Sequence, residues 1–320
     1  MIDEHCAPRL SMVAHFFWPV VPVYLRAGHT RPLTEVHYSP VTPDGAYLVS
    51  ACHDKMPMLR HATTGDWIGT FAGHKGAVWS AKLCSEALLA ATGGADFTAR
   101  LWDAISGKEL VQFEHKHIVK SVAFSPDRQT LVTAGHEGLL RLFDLTTSSL
   151  LAELPHDPSV SKLAVHKILY GAEPQVLLTG ASNGTVHVWD TRTKAKTAGF
   201  TCSSRLIQDM ELTDTAQGKV LTVASGDAVS VFDGVTFALR RRHVMPINFH
   251  EEGGASMHPS GTKFVAGGSD VWVRVFDAES GKELECLKGH HGPVRCLRYA
   301  PGGETFATGS EDGTIRLWTA

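Results

Sequence analysis

The sequence predicts an all-β protein, a seven-bladed β-propeller closed by an N-terminal strand that pairs within the last blade. Two recurrences carry this. The first is a strand-like segment ending on an aromatic residue, usually followed by Asp. It returns as Leu101-Trp102-Asp103, Leu142-Phe143-Asp144, Val188-Trp189-Asp190, Val231-Phe232-Asp233, Val275-Phe276-Asp277 and Leu317-Trp318, and Met58-Leu59-Arg60 holds the same place with Arg60 as its last residue. From Arg60 onward the spacings are 42, 41, 46, 43, 44 and 42 residues. A unit of that length cannot bury its apolar faces alone, so it stacks on its neighbours, and a circular stack leaves few exposed sheet edges.

The second recurrence is polar. Gly-His stands at Gly28-His29, Gly73-His74 and Gly289-His290, while His115 and His156 fill the same column after Glu114 and Pro155. Six positions before each aromatic lies a turn residue: Asp54, Asp96, Glu137, Asn183, Asp270 and Asp312. Four before that lies a strand column of Ser50, Thr92, Thr133, Thr179, Ala266 and Thr308. Gly-His at one end of the unit and Trp-Asp at the other resemble the WD repeat. Two repeats carry a full polar set: His74, Thr92, Asp96 and Trp102, then His290, Thr308, Asp312 and Trp318. In WD repeats such a set ties the loop before a blade to its third strand, which satisfies polar groups that would otherwise be buried at a cost.

In chain order, residues 1–20 form an N-terminal extension and 21–320 the propeller. Met12 to Leu25 is apolar but too short for a membrane span, and it contains Pro19 and Pro22. Asp3 and Glu4 argue against a signal peptide. Pro22 to Arg26 reads as a strand because it directly precedes Gly28-His29, as Trp67-Phe71 precedes Gly73-His74. The first repeat carries Arg60, whose guanidinium needs a buried partner, either Asp54 or carbonyl groups near the top of the blade. The fifth repeat is one residue short, with Thr222 in the strand column and Gly226 or Asp227 in the turn. The last repeat stops after its third strand at Trp318, so the N-terminal strand is left to complete that blade.

Thirty basic and 33 acidic residues give a net charge of −3, which does not suit a chain devoted to nucleic acid or an anionic membrane. The six cysteines, Cys6, Cys52, Cys84, Cys202, Cys286 and Cys296, form no C-x-x-C pair and read as reduced thiols.

Several blocks carry a sharper likeness: Pro57-Met58-Leu59-Arg60, Thr64-Gly65-Asp66-Trp67-Ile68-Gly69-Thr70-Phe71, Gly73-His74-Lys75-Gly76-Ala77-Val78-Trp79, Ala95-Asp96-Phe97-Thr98-Ala99 and His115-Lys116-His117-Ile118-Val119-Lys120. They resemble the serine/threonine kinase receptor-associated protein family (also called Unr-interacting proteins), most strongly in blades one to three and seven. The resemblance implies a non-enzymatic scaffold in the SMN complex, which loads Sm proteins onto spliceosomal small nuclear RNA and so serves mRNA splicing. It implies protein partners, cytoplasmic and nuclear location, and no cofactor. The family's polar tail beyond the last blade has no counterpart here, so its contacts are not carried over. A neighbouring family with the same architecture, the propeller subunit of translation initiation factor three, is the alternative. A third reading is a substrate receptor of a cullin-RING ubiquitin ligase, for which Trp189-Asp190-Thr191-Arg192 matches the W-D-x-R pattern.

His74, Thr92 and Asp96 look like a catalytic triad, but the set recurs as His290, Thr308 and Asp312, and a reaction centre is not copied around a ring. No nucleophile elbow, P-loop or dinucleotide fingerprint accompanies them. His115-Lys116-His117 lacks a third metal ligand. Arg240-Arg241-Arg242-His243 has no interleaved aromatics for base stacking and reads as a solvated segment, with Arg205, Lys120 and Lys162 adding at most a minor RNA contact. No small-molecule substrate is implied. Arg31, His53, Lys75 and Lys116, in loops at the blade openings, are the candidate partner contacts. Phe16, Phe17 and Trp18 are candidate anchors outside the ring.

Overall fold

The computed structural model of the chain describes residues 23–24, 28–156, 163–251 and 253–320. They form seven antiparallel sheets, six with their strands in chain order from one edge to the other and the last with Val23–Tyr24 on its outer edge beside Ile315–Thr319. The second blade shows the pattern, with strands Val78–Leu83, Leu89–Gly94, Thr98–Asp103 and Glu109–Glu114. Its first three strands bury nearly every residue, and the fourth alternates toward solvent. That gradient follows from the arrangement: inner strands are sandwiched between two neighbouring blades, whereas the fourth lines the rim.

The core is divided among the blade interfaces. Among the described residues, seven apolar clusters occur, one between each pair of neighbours. One of them joins Leu33, Val36 and Leu48 of the first blade to Ala307, Ile315 and Leu317 of the last, so the ring is completed by packing. Burying such side chains contributes roughly 1.5–3 kcal/mol each, which makes the interfaces the main source of stability.

In the last blade, Val23–Tyr24 runs antiparallel to Ile315–Thr319, with Val23 opposite Leu317 and Tyr24 opposite Arg316. Pro22 and residues 25–26 of the expected closing strand lie outside the described residues, as do the extension and its candidate anchors Phe16, Phe17 and Trp18.

The short fifth repeat has a local solution. Gly218–Asp233 lies as one extended element between Ile207–Thr215 and Leu239–Phe249. Its two ends meet, since Gly234 N–H donates to the Lys219 carbonyl at 2.9 Å. Ala104 to Leu88 makes the same bond, also 2.9 Å, in the second blade. The element is therefore a hairpin folded at Gly226, where φ is +66°, a conformation that glycine adopts freely.

Candidate partner-binding face and central channel

Each turn that carries a column His meets the turn that follows the second strand of the same blade, and together these turns form the upper face of the ring. In the second blade, Trp102 Nε1–H donates to Thr92 Oγ1 at 2.9 Å, and Thr92 and His74 Nε2 lie 2.7 Å apart. His74 Nδ1 lies 2.9 Å from Asp96, which also accepts from the backbone N–H of Lys75 at 2.8 Å. Because Trp is a donor only, the threonine hydroxyl donates to His Nε2 and the ring's Nδ1–H donates to the carboxylate. The seventh blade repeats the chain, with Trp318 to Thr308 at 2.8 Å, Thr308 to His290 at 2.7 Å and His290 to Asp312 at 3.3 Å. Burial disfavours ionisation of Asp96 and Asp312, but these hydrogen bonds outweigh it and hold both carboxyls well below the usual range. The hydroxyl beside each imidazole's Nε2 already faces a Trp N–H on its other side. Gly94 makes room for this set, since a Cβ there would stand 2.7 Å from His74 Nδ1.

The other blades keep parts of the set. His29 sits 2.8 Å from both Asp54 and Ser50 in the first blade. His156 and Trp189 both reach Thr179, at 2.9 and 3.0 Å, in the fourth. Blade six has Ala266 in the column, and its Phe276 stacks on Phe264, 5.2 Å between ring centres.

Arg60 is fully buried, yet it does not pair with Asp54, which His29 occupies. Its guanidinium donates to the Gly65 carbonyl at 3.2 Å. Gly65 lies in the turn at the opposite end of Met58–His61 from Asp54, so the bond forms at the lower end of the blade rather than the top.

The sequence reading missed a second polar column, two positions before each aromatic. Arg100 lies 3.5 Å from Asp96, Arg141 lies 2.7 Å from Glu137, and Arg274 lies 2.7 Å from Asp270. The Arg at this fixed offset was visible in the sequence, and its i,i+4 relation to the turn acid was the signal.

Of the candidate contacts, Arg31, Lys75 and Lys116 are exposed on the upper face. His53 is half-buried there, its ring edge-on to Trp79 at 4.8 Å. The basic run on the outer strand of blade five is largely neutralised: Arg240 pairs with Asp233 at 2.6 Å, Arg241 pairs with Glu279, and Arg242 lies 4.0 Å from Asp227. Arg192 of the W-D-x-R match folds back on Asp190 at 3.0 Å. His115 and His117 address different partners, Thr133 and the Ile118 N–H, so they do not converge as a metal pair. Among the described residues, His29, Cys52 and Asp54 bring three ligand-type atoms within 4.8 Å. Each is already used: Cys52 donates to the Arg31 carbonyl, and burial pushes its thiol up to about 12, which disfavours the thiolate a metal needs.

The innermost strands also align, and their side chains ring a central channel. Its upper ring is Thr34, Trp79, Lys120, His166, Gln208, Gly253 and Arg295, which bound a cavity of about 300 Å³ open to the upper face. Beneath it lies a web of buried charges. Glu35 accepts from Lys167 at 2.9 Å and lies 3.1 Å from Lys82, and Arg298 grips both oxygens of Asp209 at 2.6 Å. Burial opposes the charge on Glu35, but Lys167 and Lys82 keep its carboxyl far below its ordinary value. Below the web a second cavity of about 590 Å³ opens to the other face.

Comparison with known proteins agrees with this architecture. Residues 65–103, 107–144, 148–190 and 281–319 match the family "WD domain, G-beta repeat". The chain is 44% identical over 294 residues to the serine-threonine kinase receptor-associated protein of Rattus norvegicus, covering 91% of this chain and 81% of that one. The same-named protein of Dictyostelium discoideum is 40% identical over 297 residues, 91% and 97% of the two chains. Subunit I of eukaryotic translation initiation factor 3 from Drosophila willistoni is 29% identical over 313 residues, 91% and 95% of the two chains. With repeats, blades and identity extending over nearly the whole ring, the chain belongs to the serine-threonine kinase receptor-associated protein family of WD-repeat propellers.

Proposed function

We propose that the protein is a non-enzymatic scaffold of an SMN-type assembly that serves Sm-protein loading and splicing, in the cytoplasm and the nucleus. The observation that supports this most is the 44% identity to a kinase receptor-associated protein against 29% to the initiation-factor subunit, over equal shares of this chain. The polar sets that resemble catalytic groups are spent on holding turns together, which leaves the upper face for binding. Affinity purification from the native cell tests the reading. Recovery of Sm proteins or other assembly components is expected, and recovery of initiation factor three subunits without them would decide for the alternative.

A further inference from the structure

Phe97 stands at a position that other blades give to glycine. The residue after the turn acid or amide is left-handed, with φ +69° at Gly138, +79° at Gly184 and +78° at Gly313, and Phe97 adopts +65°. A bulky L side chain is strained there. Burial does not offset the strain, since Phe97 is 44% exposed. Strain kept by a fold that gains nothing locally points to a use outside the fold. A single exposed apolar residue needs no explanation, but this one heads a row of rings. Its ring centre lies 5.5 Å from that of His117, His117 lies 5.1 Å from His136, and His136 lies 6.2 Å from His166 beside the channel. Burial lowers both inner imidazoles, His166 to about 4, so that half of the row is neutral at pH 7. Two exposed lysines border it. The Lys75 N–H donates to Asp96, which precedes Phe97, at 2.8 Å. The Phe97 carbonyl accepts at 2.9 Å from the N–H of His115, which precedes Lys116. Neither ammonium forms an ion pair among the described residues. The adjacent turn carboxylates are occupied, Asp96 by His74 and Glu137 by Arg141. Glu114 is exposed at the end of the outer strand.

We propose that this aromatic shelf docks an acidic segment of a partner protein, which lays one large apolar residue on Phe97 and His117 and sets carboxylates against Lys75 and Lys116. This docking rests on the scaffold reading and specifies the chemistry of the partner. Aromatic side chains concentrate at the centre of protein interfaces and charged ones at the rim, which is the arrangement of Phe97 between the two lysines. A peptide can place its carboxylates to meet two separate ammonium groups and avoid Glu114. A nucleic acid carries a charge at every phosphate and needs a continuous positive track, which Glu114 interrupts.

The test is fluorescence anisotropy of two labelled peptides titrated with the full chain. One carries a central Trp between runs of Asp and Glu, and the other has Ala in place of that Trp. Saturable binding about tenfold tighter for the Trp peptide is expected. Phe97→Asn removes the ring but keeps a residue that tolerates the left-handed region. It should weaken the Trp peptide to the level of the Ala peptide, with a Tm within about 2 °C of wild type. Phe97→Tyr should bind as wild type, and Lys75→Gln/Lys116→Gln should weaken both peptides alike. Equal affinity for the two peptides, no saturable binding, tighter binding of a uridine decamer, wild-type affinity in Phe97→Asn, or a larger loss of Tm in that variant would each overturn the proposal. No Sm protein enters the measurement, so its failure leaves the assembly reading standing. Recovery of initiation factor three subunits on purification would overturn that reading without touching the shelf.

Discussion

At the scale of single residues, the structure separates buried polar groups from exposed ones that lie next to them in sequence. Asp96 anchors His74 and the turn behind it, while Lys75 offers only its backbone to Asp96 and leaves its side chain in solvent. Asp96→Asn and Asp312→Asn should each lower stability by roughly 1–3 kcal/mol, read by denaturant unfolding, since each leaves buried donors poorly satisfied. An unchanged midpoint in both would show that the sets carry no stability. Acidification acts through the same groups. The carboxyls of Asp54, Asp96 and Asp312 are depressed in the fold, Asp54 to about 2, so their contribution is present above about pH 4 and is lost as pH falls through the folded values. Burial also lowers His115 and His166, each to about 4 from an ordinary 6.5, so the unfolded chain binds more protons between those values. The Tm should therefore fall on going from pH 6.5 to 4 and fall further below that. A Tm constant from pH 7 down to 4 would contradict the burial of these imidazoles.

At the scale of elements, the blades were legible in the sequence because each has to repeat the same solution. A column of Thr92, Thr133, Thr179 and Thr308 can only arise where the same hydroxyl is needed at the same point of successive sheets. Arg60 was half legible: its need for a partner was clear, but whether its end of the strand faced Asp54 or Gly65 is a matter of three-dimensional direction. The channel was not legible, because its columns hold unlike residues. Glu35, Ser80, Lys167 and Asp209 occupy equivalent places and acquire meaning only when blades far apart in sequence face each other across the axis. Gly226→Val should cost about 1–2 kcal/mol, because it places a β-branched side chain in a left-handed conformation. A wild-type Tm would show that the hairpin bends elsewhere. Deleting residues 1–26 removes Val23–Tyr24 and exposes the edge of Ile315–Thr319, so aggregation is expected. Deleting residues 1–12 should leave a monodisperse protein. A soluble, cooperatively unfolding product of the longer deletion would refute closure by the N-terminal strand.

At the scale of the whole molecule, seven interfaces of similar apolar content make a rigid ring, and rigidity is what a scaffold requires: loops on one face held at fixed separations. Blades one to three and seven, where the sequence leads one to expect the strongest likeness to the family, are neighbours around that ring. Arg31, His53, Lys75 and Lys116 belong to this half. The buried polar groups of the upper face hold the fold, and the proposed function gives the exposed cations beside them to the partners. The most direct test of this division is a parallel measurement of partner recovery and Tm on Lys75→Glu/Lys116→Glu. Loss of the co-purifying proteins at a Tm within about 1 °C of wild type is expected, since exposed surface substitutions rarely shift stability by more than about 0.5 kcal/mol. Full partner recovery, or a loss that occurs only together with unfolding, would contradict it.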